Sequence, residues 1–335
     1  MKTGKSWAGL ALLVGIVLAT ACAGPAPPSP QAPDQVSLQL QWVTQAQFAG
    51  YYVALDKGWY LEEGIDLTIV PGGPDITPVD LVASGTRDFG TTLLADLIVA
   101  VQNGKPVVSI AQIQQRNGLV LVALESSGIA SPPDLRGKKV GVWLGSWEAQ
   151  FHALMAQEGL VTADYTLVSQ GYSMDAFLKG DLDVASAMRY NEYHVVLASG
   201  IKAEELNVID YADYGLGFPG DTLFTSRQMT AQNPDLCVRM IRASLRGWQY
   251  AIDHPEEAAD IVLKYDATKT QTRSHQLTMM QEIARLVSVR DRPVGYTDEA
   301  TVQGVVDLLL KHGVLAGPVP AGDIWNEAFW KQANP

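Results

Sequence analysis

The chain has 335 residues, of which 47% are apolar and 18% charged, a balance that belongs to a globular protein and not to a disordered one. With 24 Lys and Arg against 36 Asp and Glu, the formal charge is −12, which argues against nucleic acid or an anionic lipid surface as a partner. Cys22 and Cys237 are the two cysteines, too few for a disulfide framework, so the fold must rest on its core.

Lys2 and Lys5 precede an apolar run from Ala8 to Ala21, which predicts a signal peptide over 1–21. The run is shorter than the about 20 residues that a membrane span needs. Leu18-Ala19-Thr20-Ala21-Cys22 resembles a bacterial lipobox with Ala in place of the commoner Leu at its first position. That resemblance implies a lipidated, palmitate-bearing Cys22. Ordinary secretion with cleavage elsewhere is the alternative. Gly24 to Pro33 is proline-rich and predicts a semi-rigid spacer of about 3.1 Å per residue. Residues 22–35 then form a tether at the extracytoplasmic face of the cell membrane. Loss of the leader removes Lys2 and Lys5 and takes the charge from −12 to −14.

Beyond the tether, strand and helix signals alternate. Leu38 to Trp42 has strand periodicity, Phe48 to Lys57 reads as helix stopped by Gly58, and Leu67 to Val70 reads as strand closed by Pro71-Gly72-Gly73. Strand Phe89 to Thr92, helix Leu94 to Gln102 and strand Val107 to Ile110 continue the series. Such alternation predicts an α/β fold with mostly parallel sheets.

A second unit opens at Ser131-Pro132-Pro133-Asp134-Leu135. It is followed by a buried strand, Lys139 to Trp143, and by a helix capped by Ser146 that carries Trp147, Phe151, Leu154 and Met155 on one face. Strands are expected over Tyr165 to Ser169 and Val184 to Met188. From Asn233-Pro234 onward the pattern is helical, with Ile241, Leu245, Trp248 and Ile252 on one face, then Glu256 to Lys264, then a helix with Val302, Val305, Val306 and Leu309. These helices need a sheet to cover, so the chain is expected to return to its first unit. Lobe I is thus assigned 36–130 and 221–335, and lobe II 131–220, joined near Glu125 to Ser131 and Gly220 to Thr225.

No metalloprotease, redox-cysteine, nucleophile-elbow or Walker motif is present, and His152, His194, His254, His275 and His312 are dispersed. Gly72-Gly73 reads as a turn, not a phosphate cradle. The sequence instead offers aromatic and amide residues at strand ends, where open α/β sheets bind ligands. The candidate ligand residues are Trp42, Gln47, Tyr51, Thr92, Ser146, Trp147, Tyr190, Asn191 and Glu192. Trp42 and Tyr190 are expected to stack on a flat ring, with Asn191, Glu192 and Gln47 reading its polar edge. Tyr51 and Tyr52 point to different sides of their helix, so at most one reaches a cleft.

The strings Gln41-Trp42-Val43-Thr44-Gln45-Ala46-Gln47-Phe48-Ala49-Gly50-Tyr51-Tyr52 and Lys57-Gly58-Trp59-Tyr60-Leu61-Glu62-Glu63-Gly64-Ile65 resemble the opening of solute-binding proteins of the nitrate, taurine and thiamine-pyrimidine class. Pro133-Asp134-Leu135-Arg136-Gly137-Lys138-Lys139-Val140-Gly141-Val142 resembles that family's entry to its second lobe. The resemblance implies a two-lobed type II periplasmic-binding-protein fold, a ligand held between lobes, and an ABC permease as partner. The similar branch holds riboflavin binders and binders of thiamine pyrimidine precursors. Related pyrimidine synthases carry a cysteine-rich motif and a catalytic histidine that have no match here, so a binder without cofactor or metal is expected, with an enzyme on the same scaffold as the competing reading. Two rings and several amides favour a flat neutral heterocycle, riboflavin first and a formylated or hydroxymethyl pyrimidine second.

Overall fold

A computed structural model describes residues 32–144, 147–289 and 292–334, together with Met1 and Gly4. The signal peptide, Cys22, most of the tether and Ser146 lie outside the described residues.

The strands are β1 (Asp34–Gln39), β2 (Ile65–Val70), β3 (Phe89–Leu93), β4 (Val107–Gln112), β5 (Leu119–Leu124), β6 (Lys139–Val142), β7 (Thr166–Ser169), β8 (Val184–Met188), β9 (Leu206–Asp210) and β10 (Asp221–Ser226). They form two five-stranded sheets, ordered β2-β1-β3-β10-β4 and β7-β6-β8-β5-β9. Each sheet is parallel except for one strand that has crossed from the other: β10 runs antiparallel to β3 and β4, and β5 antiparallel to β8 and β9.

This topology corrects the expected lobe boundary. β5 already belongs to the second sheet, so the first connection is 113–118 and not Glu125 to Ser131, which is a turn at the far end of β5. The second connection is 211–220, and Gly220 to Thr225, expected as a hinge, lies mostly in β10, between β3 and β4 of the first sheet. The two connections hold each other by backbone bonds, Gly220 N–H to Gln114 O at 3.0 Å and Asn117 N–H to Phe218 O at 2.9 Å.

The helical remainder returns to the first sheet. The helix Pro234–Asp253 starts with proline at its first turn and buries Ile241, Leu245 and Trp248. It crosses the helix Ala49–Asp56 at the closest approach two backbones allow: a Cβ on Gly247 would lie 2.0 Å from the Gly50 carbonyl oxygen. Trp248 fills the adjoining space and is 1% exposed, so Trp248→Ala would cost about 3–5 kcal/mol. Cys237 lies on the same buried face, and burial pushes its thiol up to about 12. A helix not anticipated from the sequence, Arg273–Val287, completes this side. Among the described residues, no helix is long and apolar enough to cross a membrane.

Candidate functional site

The chain leaves β1 at Gln39 and runs irregularly through Leu40 to Gln45 before a short 3-10 turn, Ala46–Phe48. Gln41 and Gln47 both aim inward, their Nε2 groups donating to the two carboxylate oxygens of Asp221 at 2.7 and 2.8 Å. Asp221 opens β10 where the second connection re-enters lobe I. Burial pushes its carboxyl up to about 7, against the pull of the two amides.

From Asp221 a line of side-chain amides crosses to lobe II. Gln45 Nε2 donates to Gln47 Oε1 (2.8 Å), and Asn191 Nδ2 points to Gln45 Oε1 (3.4 Å) and donates to Glu192 Oε1 (2.6 Å). Asn191 Oδ1 meets His275 Nε2 at 2.8 Å. With Nδ2 committed as donor, Oδ1 is the acceptor, which selects the Nε2–H tautomer of His275. Burial, and then neighbouring His194, lower the His275 pKa and favour this neutral form. Glu192 starts the helix Glu192–Ala198, accepts the Met188 N–H at 2.9 Å, and is raised to about 7 by burial.

Aromatic side chains meet across the same junction. Trp42 of lobe I contacts Trp147, Tyr172 and Trp143 of lobe II, with ring centroids 4.9, 5.2 and 5.8 Å away. The Trp143 indole N–H donates to the Gly171 carbonyl at 3.1 Å and so fixes the loop that carries Tyr172. Two cavities open beside this aromatic wall. One, of about 640 Å³, is lined by Gln41, Thr92, Asp96, Trp147, Glu148 and His152. The other, of about 600 Å³, is lined by Trp42, Gln45, Tyr172, Asn191, Glu192 and His275. Both volumes fall within the about 300–1,000 Å³ usual for small-molecule sites. Gln41 Oε1 and Trp147 Nε1, both buried, have no protein partner, so polar valence is left over beside the first cavity. Among the described residues no cluster of three or more His, Cys, Asp or Glu could hold a metal ion.

The structure sorts the candidate residues into two groups. Trp42, Asn191 and Glu192 line the second cavity, and Thr92 and Trp147 the first. Gln47 lines neither and acts through Asp221. Tyr51 is packed edge-on against Trp248, with centroids 5.6 Å apart, on the helix-packing side. Tyr190, expected to stack with Trp42 on a ligand ring, is 1% exposed, packs where a Cβ on Gly118 would come within 3.0 Å of its ring, and lines neither cavity. The aromatic partners of Trp42 are Trp147, Tyr172 and Trp143 instead. Gln45, Tyr172, Asp221 and His275 were not selected from the sequence. Gln45 had a local signal, lying two residues before Gln47 in the same amide-rich segment.

Two lobes, two crossing connections and a polar and aromatic cleft between them make up a periplasmic-binding-protein fold. The alkanesulfonate-binding protein SsuA of Xanthomonas axonopodis pv. citri, solved with MOPS, shares this fold with a TM-score of 0.67 at 15% identity, covering 88% of this chain and 99% of that one. The NMT1/THI5-like family profile matches residues 45–258, more than half of the chain, and the chain belongs to that family. It is similar to the riboflavin-binding protein RibY of Chloroflexus aurantiacus, 29% identical over 94% of this chain and 95% of the relative. The formylaminopyrimidine-binding protein of Halalkalibacterium halodurans is 23% identical over 96% of this chain and 98% of its own. A 4-amino-5-hydroxymethyl-2-methylpyrimidine phosphate synthase of Legionella pneumophila is 30% identical over 68% of this chain and 73% of its own.

Proposed function

We propose that this protein is the extracytoplasmic solute-binding component of an ABC importer, that it captures riboflavin between its lobes, and that it delivers the vitamin unchanged to a membrane permease. The observation that carries the reading is the second cavity, where the rings of Trp42 and Tyr172 stand beside the polar edge formed by Gln45, Asn191 and Glu192. The flat ring system lies against Trp42, and its carbonyl and imide groups face Asn191 and Glu192. With its carboxyl near 7, Glu192 presents either an O–H or an oxygen to such an edge. An aromatic pair contributes about 0.5–1.5 kcal/mol beyond area burial and each hydrogen bond about as much, so this inventory is consistent with the roughly −8 kcal/mol of micromolar binding.

Among the described residues, the connections that cross between the sheets are 113–118 and 211–220, and the lobes turn about these segments as ligand enters. The likeness to a riboflavin-binding relative over nearly all of both chains supports the choice of ligand. Cys22, lipidated, anchors the domain through its proline-rich tether, and Cys22→Ser would release the protein from the membrane fraction.

A second reading, a thiamine pyrimidine precursor as ligand, is favoured by Asn191 beside Glu192, an amide and a carboxyl suited to an aminopyrimidine edge. Titration separates the two. Quenching of flavin fluorescence supports the first, and unchanged emission with a pyrimidine-induced rise in Tm supports the second. An enzyme on this scaffold would alter its heterocycle, so mass spectrometry of the ligand before and after incubation tests the binding reading against turnover.

A further inference from the structure

Gly72 and Gly73 follow β2, and each lies against a surface with no room for a side chain, but the two surfaces belong to different lobes. A Cβ on Gly72 would lie 2.2 Å from the Leu40 carbonyl oxygen, inside lobe I. A Cβ on Gly73 would lie 2.1 Å from the Tyr172 hydroxyl oxygen and 2.9 Å from the ring carbon that bears it, in lobe II. Gly73 does not have the positive φ that favours glycine, so its own backbone accommodates alanine. What alanine would meet is the hydroxyl end of a tyrosine from the opposite lobe, which would have to move aside.

Tyr172 is 57% exposed, yet its ring stands 5.2 Å from Trp42 and lines the second cavity together with Pro71. The loop beneath it is tied to lobe II by the bond from Trp143 to Gly171, so room for an added methyl group comes from the tyrosine side chain swinging off Gly73 while the loop stays in place. We propose that Tyr172 seated on Gly73 is the latch that closes the outer edge of the second cavity, and that its ring caps the bound heterocycle. The capping role rests on the ligand reading above; the latch does not.

The test uses four full-length proteins: wild type, Gly73→Ala, Tyr172→Ala and the double variant. Riboflavin titration followed by flavin quenching gives the affinities, and stopped-flow gives the dissociation rates. Gly73→Ala weakens binding about tenfold through faster dissociation, the scale expected of one overpacked methyl group. Tyr172→Ala weakens it severalfold, and the double variant binds no worse than Tyr172→Ala, because the collision has gone. Wild-type affinity in Gly73→Ala, or losses that add in the double variant, overturns the proposal. If riboflavin fails to bind the wild type, the ligand reading falls and small-angle scattering decides the latch. Gly73→Ala must then show a larger radius of gyration than wild type, and the double variant must match Tyr172→Ala; four equal radii overturn the latch.

Discussion

The two cavities beside the Trp42 wall have nearly the same volume and different chemistry. The first is a place of carboxylates. Lys105 is matched to Asp80 at 2.7 Å, His152 faces Glu148 at 3.6 Å, and Asp96 is pushed well above its ordinary value by burial, against the pull of the Ala149 N–H, with Glu148 adding to the rise. The second sets amides and a neutral imidazole, tied into the relay from Asp221 to His275, beside the carboxyl groups of Glu192 and Asp266. Equal space thus offers unequal recognition: the amides and imidazole of the second cavity suit a flat ring with acceptors and donors on its edge, while the first surrounds its space with carboxyl groups and the cations already facing them. Trp42 belongs to both sides of this contrast, since it lines the second cavity and touches Trp147, which lines the first.

The largest effect is therefore expected at Trp42. Trp42→Ala removes the ring that separates the cavities, lowers flavin affinity by at least about a hundredfold, and costs about 3–5 kcal/mol of stability because the residue is 3% exposed. Flavin quenching and urea unfolding measure the two losses. Retained affinity in this variant would break the assignment of the ring to the Trp42 wall.

A paired substitution sharpens the contrast between the cavities. Asn191→Ala cuts the amide relay where it crosses between lobes and leaves His275 and Gln45 without that partner, so affinity falls about tenfold or more. Asp96→Asn, in the first cavity, leaves affinity within about twofold, as a group outside the ring's contacts would. Calorimetric titration reads both, and equal losses would mean that the ligand spans the two cavities.

How much of this was legible in the sequence follows from how local each signal is. Trp42, Trp147, Asn191 and Glu192 sit just beyond strand ends or at a helix start, and local patterning marks such places. Asp221 and His275 carried no such mark, because their partners lie 174 positions away at Gln47 and 84 away at Asn191. The run Leu119 to Leu124 announces a buried strand but not which sheet receives it, and this is why the lobe boundary was misplaced. The helix Arg273–Val287 did have a readable stripe in Met279, Met280, Ile283 and Val287, and it went unread among polar neighbours. Tyr172 lies in an exposed loop where no periodicity operates, and its place is visible only once the lobes are assembled.

The pH dependence of stability separates the amide relay from the rest of the fold. Glu192 and Asp221, both raised to about 7, bind more protons in the folded chain than in the unfolded one between about pH 4 and 7. Their contribution is therefore greatest below that window and is lost as pH rises through it, by roughly 3–4 kcal/mol for each group. Asp266 and Asp298 behave oppositely. Hydrogen bonds from Thr268 and Gln271 outweigh burial at Asp266, bonds from Thr301 dominate at Asp298, and both carboxyls are held below the ordinary range. Their stabilisation is present above about pH 4 and is lost as pH falls further. Urea midpoints should fall from pH 5 to pH 8, and Glu192→Gln should remove about half of that fall.

The smallest expected effect decides which way the flexible part of the ligand points. Riboflavin carries a polyol chain, and its phosphate ester adds a group of nearly two negative charges without changing the ring. A chain reaching into the first cavity would bring that phosphate beside Asp96 and Glu148, where Lys105 and His152 already face carboxylates. The ester would then bind about tenfold more weakly than riboflavin, and the gap would narrow with added salt. A chain leaving by the second cavity would place the phosphate near the exposed Thr268 and Thr270 at its rim, where the carboxylate of Asp266 is buried and already accepts from Thr268 and Gln271, and the ester would bind within about twofold of riboflavin. With the ring in the amide-lined cavity, as proposed, the chain is expected to leave past Thr268 and Thr270, and near-equal affinities at low salt are the expected result. A tenfold gap that added salt narrows would show instead that the carboxylate cavity takes part in recognition, and the functional division between the two cavities would be lost.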